Sequence, residues 1–493
     1  MKKGLQRIAV LLLGLLLAQC IATLQVYSSN VDLHRTLHML KEAGYLIVPN
    51  QQISPRLLGL NAAFWGGLFF TLSVGVLLTV LSFSAAWAWN RLFRENRLFL
   101  CFCILAWLIS LVLINTQGFS LLITLYFLFI PAAVFTAATK LTDRGKRSSG
   151  SREVLLLIPL LLLAIFWACQ ANTRFFLNLR DKLLLTNWLG TKVSEFYYEY
   201  AYYPAEPLKP LEQKLLKSCS LVSIQRKPFD QVIEKTLLAH DYLPLDNARH
   251  PVDLVVREEN GLLLFQHSGK TILKTTPQEF LASPGKLLGD FSHRTDTSFP
   301  FRRFTSLSLL VGLPLVFYAV CFGLCFCIFS FLLPARISAW MASLLCLFLG
   351  ITLFFYVDRG AKEELTDPAL ALSSESWETR VSALKLIEQK KLDVADFEAY
   401  PKLMGSHHVA ERYWFARALG SSRRPSAYRD LITFLDDPNP GVVSMAFHAL
   451  GQRKDSRAIP EILKRMEASD DWYNLWYAYK ALRNLGWKQT KSR

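Results

Sequence analysis

The chain has 493 residues, of which 52% are hydrophobic and only 19% charged, and its mean hydropathy is +0.25. A soluble chain of this length would form about three domains and carry about 25% charged residues, so the composition argues against an entirely soluble protein. The net charge of +16 suggests nucleic acid only where it gathers in a soluble segment, and nine of those sixteen units lie in the first 170 residues, between apolar runs.

Seven runs approach or exceed the roughly 20 apolar residues that a helix needs to cross a bilayer. They cover residues 8–24, 62–89, 98–114, 119–139, 154–169, 307–333 and 337–357, and none contains Asp, Glu, Lys, Arg or His. Basic residues sit in alternate connections: Lys2, Lys3 and Arg7; Arg91, Arg94 and Arg97; Lys140, Arg144, Lys146, Arg147 and Arg152; and Arg336. The opposing short connections hold only Arg35, Lys41 and Arg56. Lys and Arg favour the cytoplasmic side. The expectation is a multi-pass protein of a bacterial cytoplasmic (inner) membrane, with about seven spans, the N-terminus inside and both long segments outside.

The first run also resembles a secretory signal, and Leu17-Ala18-Gln19-Cys20 resembles a lipoprotein cleavage site. Gln19, however, stands where a small residue is expected. Of the nine cysteines only Cys219 lies in a soluble segment, so no intrachain disulfide staples the outer segments. Cys321, Cys325 and Cys327 share one helix without any His or carboxylate, and read as small apolar residues rather than metal ligands.

After the fifth run, residues 174–185 interrupt leucines with charges at near-helical spacing, the pattern of an amphipathic helix at a membrane surface. Then come Phe196, Tyr197, Tyr198, Tyr200, Tyr202 and Tyr203, aromatics suited to the headgroup interface. From Cys219 the pattern is a small β-α-β-β-β module: strands near 221–225, 252–257, 262–266 and 271–275, and a helix over 228–240. Asn260-Gly261 predicts a two-residue hairpin turn, because both positions tolerate positive φ. Gly269-Lys270-Thr271 lacks the earlier glycine and the following helix of a phosphate loop, which argues against nucleotide binding.

The C-terminal segment repeats at 31–32 residues. Ala416-Arg417-Ala418-Leu419-Gly420 recurs around Ala446, Ala449, Leu450 and Gly451, and again at Ala478, Ala481 and Leu482; residues 381–387 fit the same frame. Acidic residues and prolines at Asp436, Asp437, Pro438 and Pro440, and again Asp470 and Asp471, mark helix starts. Together with residues 455–463, this resembles the short HEAT-like repeats of the phycobilisome-lyase type, most clearly over 404–486. The resemblance implies an α-solenoid, a partner-binding surface and no inherited lyase chemistry. The expected plan is a membrane domain (1–170), an outer α+β segment (171–304), a two-span hairpin (305–357) and the solenoid (358–493).

Aromatics beyond what a repeat core requires, Tyr413, Trp414, Trp472, Tyr473, Trp476 and Tyr477, predict a contact surface for a protein partner. His407-His408 reads as a solvated loop, since neighbours diverge on a helix. No catalytic motif, cofactor site or metal site is evident. The expected function is a membrane-anchored scaffold or assembly factor binding an extracytoplasmic protein. The alternatives are a transporter component, or an enzyme on a lipid-linked substrate that uses groups such as Asp181, Glu195, Glu199, Glu206, His240 and Asp241.

Overall fold

Inside an apolar run every backbone N–H and C=O must find its partner within the chain, and a helix achieves this locally. The computed structural model describes residues 2–141, 158–170, 172–222, 227–246, 251–358 and 367–491. The apolar runs are helical: α1 (Lys2–Glu42), α2 (Leu60–Phe70), α3 (Val76–Arg91), α4 (Arg97–Ile114), α5 (Leu121–Leu141), α6 (Ile158–Gln170), and later α12 (Phe299–Ser330) and α13 (Ala335–Asp358). A π-helical turn, Thr71–Gly75, joins α2 to α3, which together form one long helix. Among the described residues six helices are long and apolar enough to cross a membrane, or seven if α6 and the sharply bent helix after it count as one. Residues 154–157 of the fifth run lie outside the described residues.

The chain divides into two units: Met1–Ser28, Ala63–Asn178 and Thr297–Arg359 in one, Ser29–Ala62, Leu179–Asp296 and Gly360–Arg493 in the other. Residues 29–62, expected within the first membrane domain, therefore group with the outer segments.

In the first unit α1 packs along a ridge of residues at four-residue spacing. Val10, Gly14, Ala18, Ala22 and Val26 are buried, while Leu12, Leu16 and Leu24 on other faces are exposed. The small residues permit backbone contact: a Cβ added to Gly75 would lie 2.4 Å from the Ala18 Cβ. Polar side chains add links. Thr71 Oγ1 donates to Gln19 Oε1 at 2.8 Å, and Gln19 Nε2 donates to the Phe64 carbonyl at 2.8 Å. Deeper in this unit the Phe301 ring lies 5.6 Å from that of Phe70 and 5.7 Å from that of Tyr126. The outward faces are apolar: Leu105, Val112, Phe317 and Leu324 are all exposed.

In the second unit the α+β module is β1 (Lys217–Val222), α9 (Lys227–Ala239), β2 (Tyr242–Pro244), β3 (Leu254–Glu259), β4 (Leu262–His267) and β5 (Lys270–Thr275). The sheet order is β2-β1-β3-β4-β5, with β1 parallel to both its neighbours and the other pairs antiparallel. The expected β-α-β-β-β order gains the three-residue β2, too short to show as a period. Residues 223–225 of the first expected strand lie outside the described residues. Asn260 and Gly261 have φ of 52° and 76°, the left-handed pair that a tight hairpin needs. Ser268 and Gly269 do the same between β4 and β5, so Gly269 ends a hairpin turn and Lys270-Thr271 opens β5. Cys219 is buried in this core beside Leu254, Val256 and Phe265, and burial pushes its thiol well up, out of the reactive range. Helices α10 (Pro277–Ala282) and α11 (Pro284–Thr295) close the module with Phe280 and Phe291.

The C-terminal segment is a stack of helical hairpins. Its inner helices are α14 (Trp377–Lys390), α15 (Val409–Ala418), α17 (Pro440–Arg453) and α19 (Trp472–Asn484). Its outer helices include α16 (Pro425–Phe434) and α18 (Ala458–Ala468). The repeat-frame residues Ala383, Ile387, Ala416, Leu419, Ala446, Leu450, Ala478 and Leu482 are all buried. A Cβ on Gly451 would come within 2.8 Å of the Ala481 Cα, so the small repeat residues set the spacing of the stack.

Candidate interaction surface

Three of the four inner helices, α14, α17 and α19, begin with side-chain caps. Ser376 accepts from the Thr379 N–H, Asn439 from the Gly441 N–H and Asp471 from the Asn474 N–H. Ion pairs tie successive repeats together. Arg380 meets Glu411 at 2.5 Å, both buried, and also donates to the Ser374 and Glu375 carbonyls. Arg412 meets Asp437 at 2.7 Å and Arg417 meets Glu388 at 2.9 Å. Each buried charge thus has its partner, which a desolvated ion requires.

Outer helices cover one side of the inner stack, and the chain's own helix α8 (Trp188–Tyr200) lies against α17 and α19. Asn187 caps α8 by accepting from the Gly190 N–H at 2.7 Å. Gly190 is required there: a Cβ would fall 1.9 Å from the Leu183 carbonyl oxygen. The Tyr198 hydroxyl reaches the first turn of α17 at Gly441, and its ring stands 4.8 Å from that of Tyr473. Tyr202 stacks on Trp472 at 5.6 Å, with the Tyr473 and Trp476 rings at 5.5 and 6.0 Å. Tyr203 stands edge-on to Trp472 at 5.2 Å. Burial pushes the Tyr198 phenol up to about 12 and drives the Tyr202 phenol higher still, so both stay neutral donors.

At the other end of this layer Asp181 is buried against the solenoid. Its carboxylate meets Arg180 at 2.6 Å and Lys385 at 2.7 Å, and accepts from Trp414 Nε1 at 2.9 Å. The Arg180 guanidinium lies 4.1 Å over the Tyr413 ring. The connection after α1 grips the last repeat: Asn50 Nδ2 donates to the carbonyls of Met466 and Ser469 at 2.8 and 2.7 Å. Gln489 pairs with both the N–H and the C=O of Leu46. These bonds explain why residues 29–62 belong to this unit. The module is held too, by Tyr479 donating to Asp241 at 2.6 Å and Arg483 donating to the Ala239 carbonyl at 2.7 Å.

Residues 398–483 match the family model for HEAT repeats. The match covers the three hairpins that carry the repeat frame and agrees with the sequence resemblance. Comparison with curated proteins and with solved structures gives no match.

The structure brings the two expected aromatic groups to each other. Tyr198, Tyr202 and Tyr203, expected at a headgroup interface, are buried against Trp472, Tyr473 and Trp476, expected to face a partner. Tyr413, Trp414 and Trp472 are buried by this chain itself. Tyr473, Trp476 and Tyr477 are half-buried, as is Tyr200, and Tyr197 is exposed. The expected amphipathic helix over 174–185 is one short helix, α7 (Thr173–Leu179), followed by a π-helical turn at Arg180–Leu184.

Four of the six groups considered for acid-base work sit in separate ion pairs: Asp181 as above, Glu195 with Lys192, Glu206 with Lys209 and Asp241 with Arg483. Among the described residues no three His, Cys, Asp or Glu side chains cluster as metal ligands. His408 stacks on Trp377 at 5.7 Å, and His407 beside it is exposed. Sequence reasoning missed Asn50, Lys385 and Arg180. A lone amide in a short connection and two cations on helix surfaces carry no local signal of partners up to 419 residues away.

Proposed function

We propose that this chain is a membrane-anchored scaffold or assembly factor whose HEAT repeats hold a protein partner on the extracytoplasmic side of a bacterial inner membrane. The observation that carries this reading is the union, in one chain, of a HEAT array with six helices of spanning length and apolar composition. Only Ile114 of α4 is buried, and α12 contains an 18-residue apolar stretch of which only 6% is buried. Such a surface aggregates in water and is ordinary in lipid. The alternating basic residues support the orientation.

The partner's contact lies on the outer helices and the edge of the array, because α8 already lies against the inner helices. Arg429 and Lys464 are exposed on α16 and α18. Tyr473, Trp476 and Tyr477 keep part of their surface at the rim. To test this, membranes are crosslinked, the full-length chain is purified in mild detergent, and co-purifying proteins are identified by mass spectrometry. Replacing Arg429 and Lys464 together by Glu lowers capture of the partner on the order of tenfold at unchanged abundance. Recovery of the chain alone, or capture indifferent to these charges and to deletion of 360–493, sinks the reading.

One observation favours a second reading, a transporter or permease component. Gln25 Oε1, Thr79 Oγ1 and Tyr126 Oη are buried in the apolar unit without a hydrogen-bond partner. Leaving such groups unpaired is costly, and a hydrated path would satisfy them. Solute flux into proteoliposomes that is lost in Tyr126→Phe supports transport, and sealed vesicles exclude it.

A further inference from the structure

Helix α8 has three faces. Gly190, Ser194 and Tyr198 are buried on the face turned to the solenoid. Lys192, Glu195 and Glu199 form a charged face, with Lys192 and Glu195 paired at 2.6 Å. Leu189, Val193 and Tyr197, at four-residue spacing, form the third, and they are 65%, 49% and 56% exposed. Trp188 in the first turn is 77% exposed. The packed face fixes the roll of the helix, so the apolar stripe is presented outward in a set orientation.

An exposed apolar stripe on a water-facing unit needs an occupant. We infer that α8 lies on the bilayer surface, with Leu189 and Val193 entering the acyl boundary and Tyr197 at headgroup level. Three observations favour lipid over a protein. The strongest exposure of apolar side chains in this unit falls close in sequence to the spanning-length helices. Trp188 follows by 4 residues the bent helix pair that ends at Leu184, Leu60 opens α2, and Leu370 follows α13 by 12. Val232, Leu262 and Leu392, all further from such helices, are exposed to 44% or less. The division into an apolar face beside a charged face, with Tyr197 at its margin, is that of an interfacial helix. Of the tyrosines that the sequence suggested for the bilayer surface, Tyr197 keeps that place, whereas Tyr198, Tyr202 and Tyr203 serve the solenoid.

This inference rests on the membrane reading, and one experiment separates the two. A photoreactive diazirine amino acid is placed singly at Leu189, Val193, Glu195 or Glu199 in the full-length chain in its native membrane. A fifth site, Leu105 on α4, reports insertion of the spans. After irradiation, adducts are identified by mass spectrometry, and each variant is checked for a single detergent-soluble species. The expected result is phospholipid adducts at Leu105, Leu189 and Val193, exceeding those at Glu195 and Glu199 on the order of tenfold. Lipid adducts at Leu105 with polypeptide adducts at Leu189 and Val193, a second copy of this chain included, overturn the inference and leave the membrane reading standing. So do lipid adducts equal at all four α8 sites, or absent from them. Absence of lipid adducts at Leu105 removes the membrane reading itself.

Discussion

The two units solve the same packing problem with opposite materials. In the apolar unit the buried ridge of α1 is made of small residues, Gly14, Ala18 and Ala22, and the large side chains face outward. In the other unit the interior between α8 and the solenoid is made of Tyr202, Trp472 and Trp414, and charges face outward. On the proposed membrane reading, the difference follows from what surrounds each surface. Water drives large apolar side chains inward. Lipid does not distinguish an outward leucine from an inward one, so close backbone approach and a few hydrogen bonds must hold the helices together. Substitutions that exchange the two materials test the contrast.

The largest effect is expected where a large ring is removed from the unit that holds the solenoid. Trp472→Ala deletes the stack on Tyr202 and the edge contact with Tyr203, and leaves a cavity costing about 4 kcal/mol. Segment 188–208 then loses its seat, and limited proteolysis should cut it first. Protection equal to the parent would show that α8 is held by something other than the aromatic layer.

Next is the buried carboxylate. Asp181→Asn keeps the shape but leaves Arg180 and Lys385 without their counter-charge, a loss of about 3 kcal/mol. Adding Lys385→Met to the same chain should recover much of that loss in thermal unfolding. If the double variant is as weak as the single, the charges are not the cause.

These two sites also mark the limit of what the sequence discloses. Features built from neighbours are legible: the apolar runs, the Asn260-Gly261 turn, and the 31–32-residue frame whose Leu419, Leu450 and Leu482 are all buried. The excess aromatics were visible as an excess, but not as two halves of one layer. Trp414 and Asp181 are 233 residues apart, and nothing local to either identifies the other. The grip of Asn50 on the last repeat is hidden for the same reason. A tyrosine suited to a headgroup is equally suited to a tryptophan, because both offer an apolar face and tolerate a polar edge.

In the apolar unit the informative change is an addition. Gly75→Ala places a methyl 2.4 Å from the Ala18 Cβ and should cost about 1–3 kcal/mol by overpacking, seen as a lower unfolding temperature in detergent. Ala18→Gly should suppress it in the double variant. The same pair of changes on the solenoid surface would be nearly silent. Failure of the suppression would mean that the ridge is not what spaces α1 from α3.

The smallest effect separates a cap from its charge. Asp471 caps α19 and stands close to Asp470 and Glu199, and burial pushes its carboxyl from 3.8 up to about 6. Below pH 4 the group is protonated in folded and unfolded chains alike. Between 4 and 6 the unfolded chain releases the proton while the folded chain keeps it. The folded state then binds more protons, so stability falls as pH rises through this window, and the penalty is complete above 6. Asn at this position still accepts from the Asn474 N–H but carries no charge. Asp471→Asn should therefore raise stability at pH 7.5 by about 2 kcal/mol, the shift discounted for the part of the carboxyl that solvent still reaches. It should flatten the stability profile between pH 4 and 6 and change nothing at pH 3.5. A variant less stable than the parent at pH 7.5 would mean that the charge serves α19 more than its burial costs. The aromatic layer above Asp471 would then be more open to water than its packing indicates.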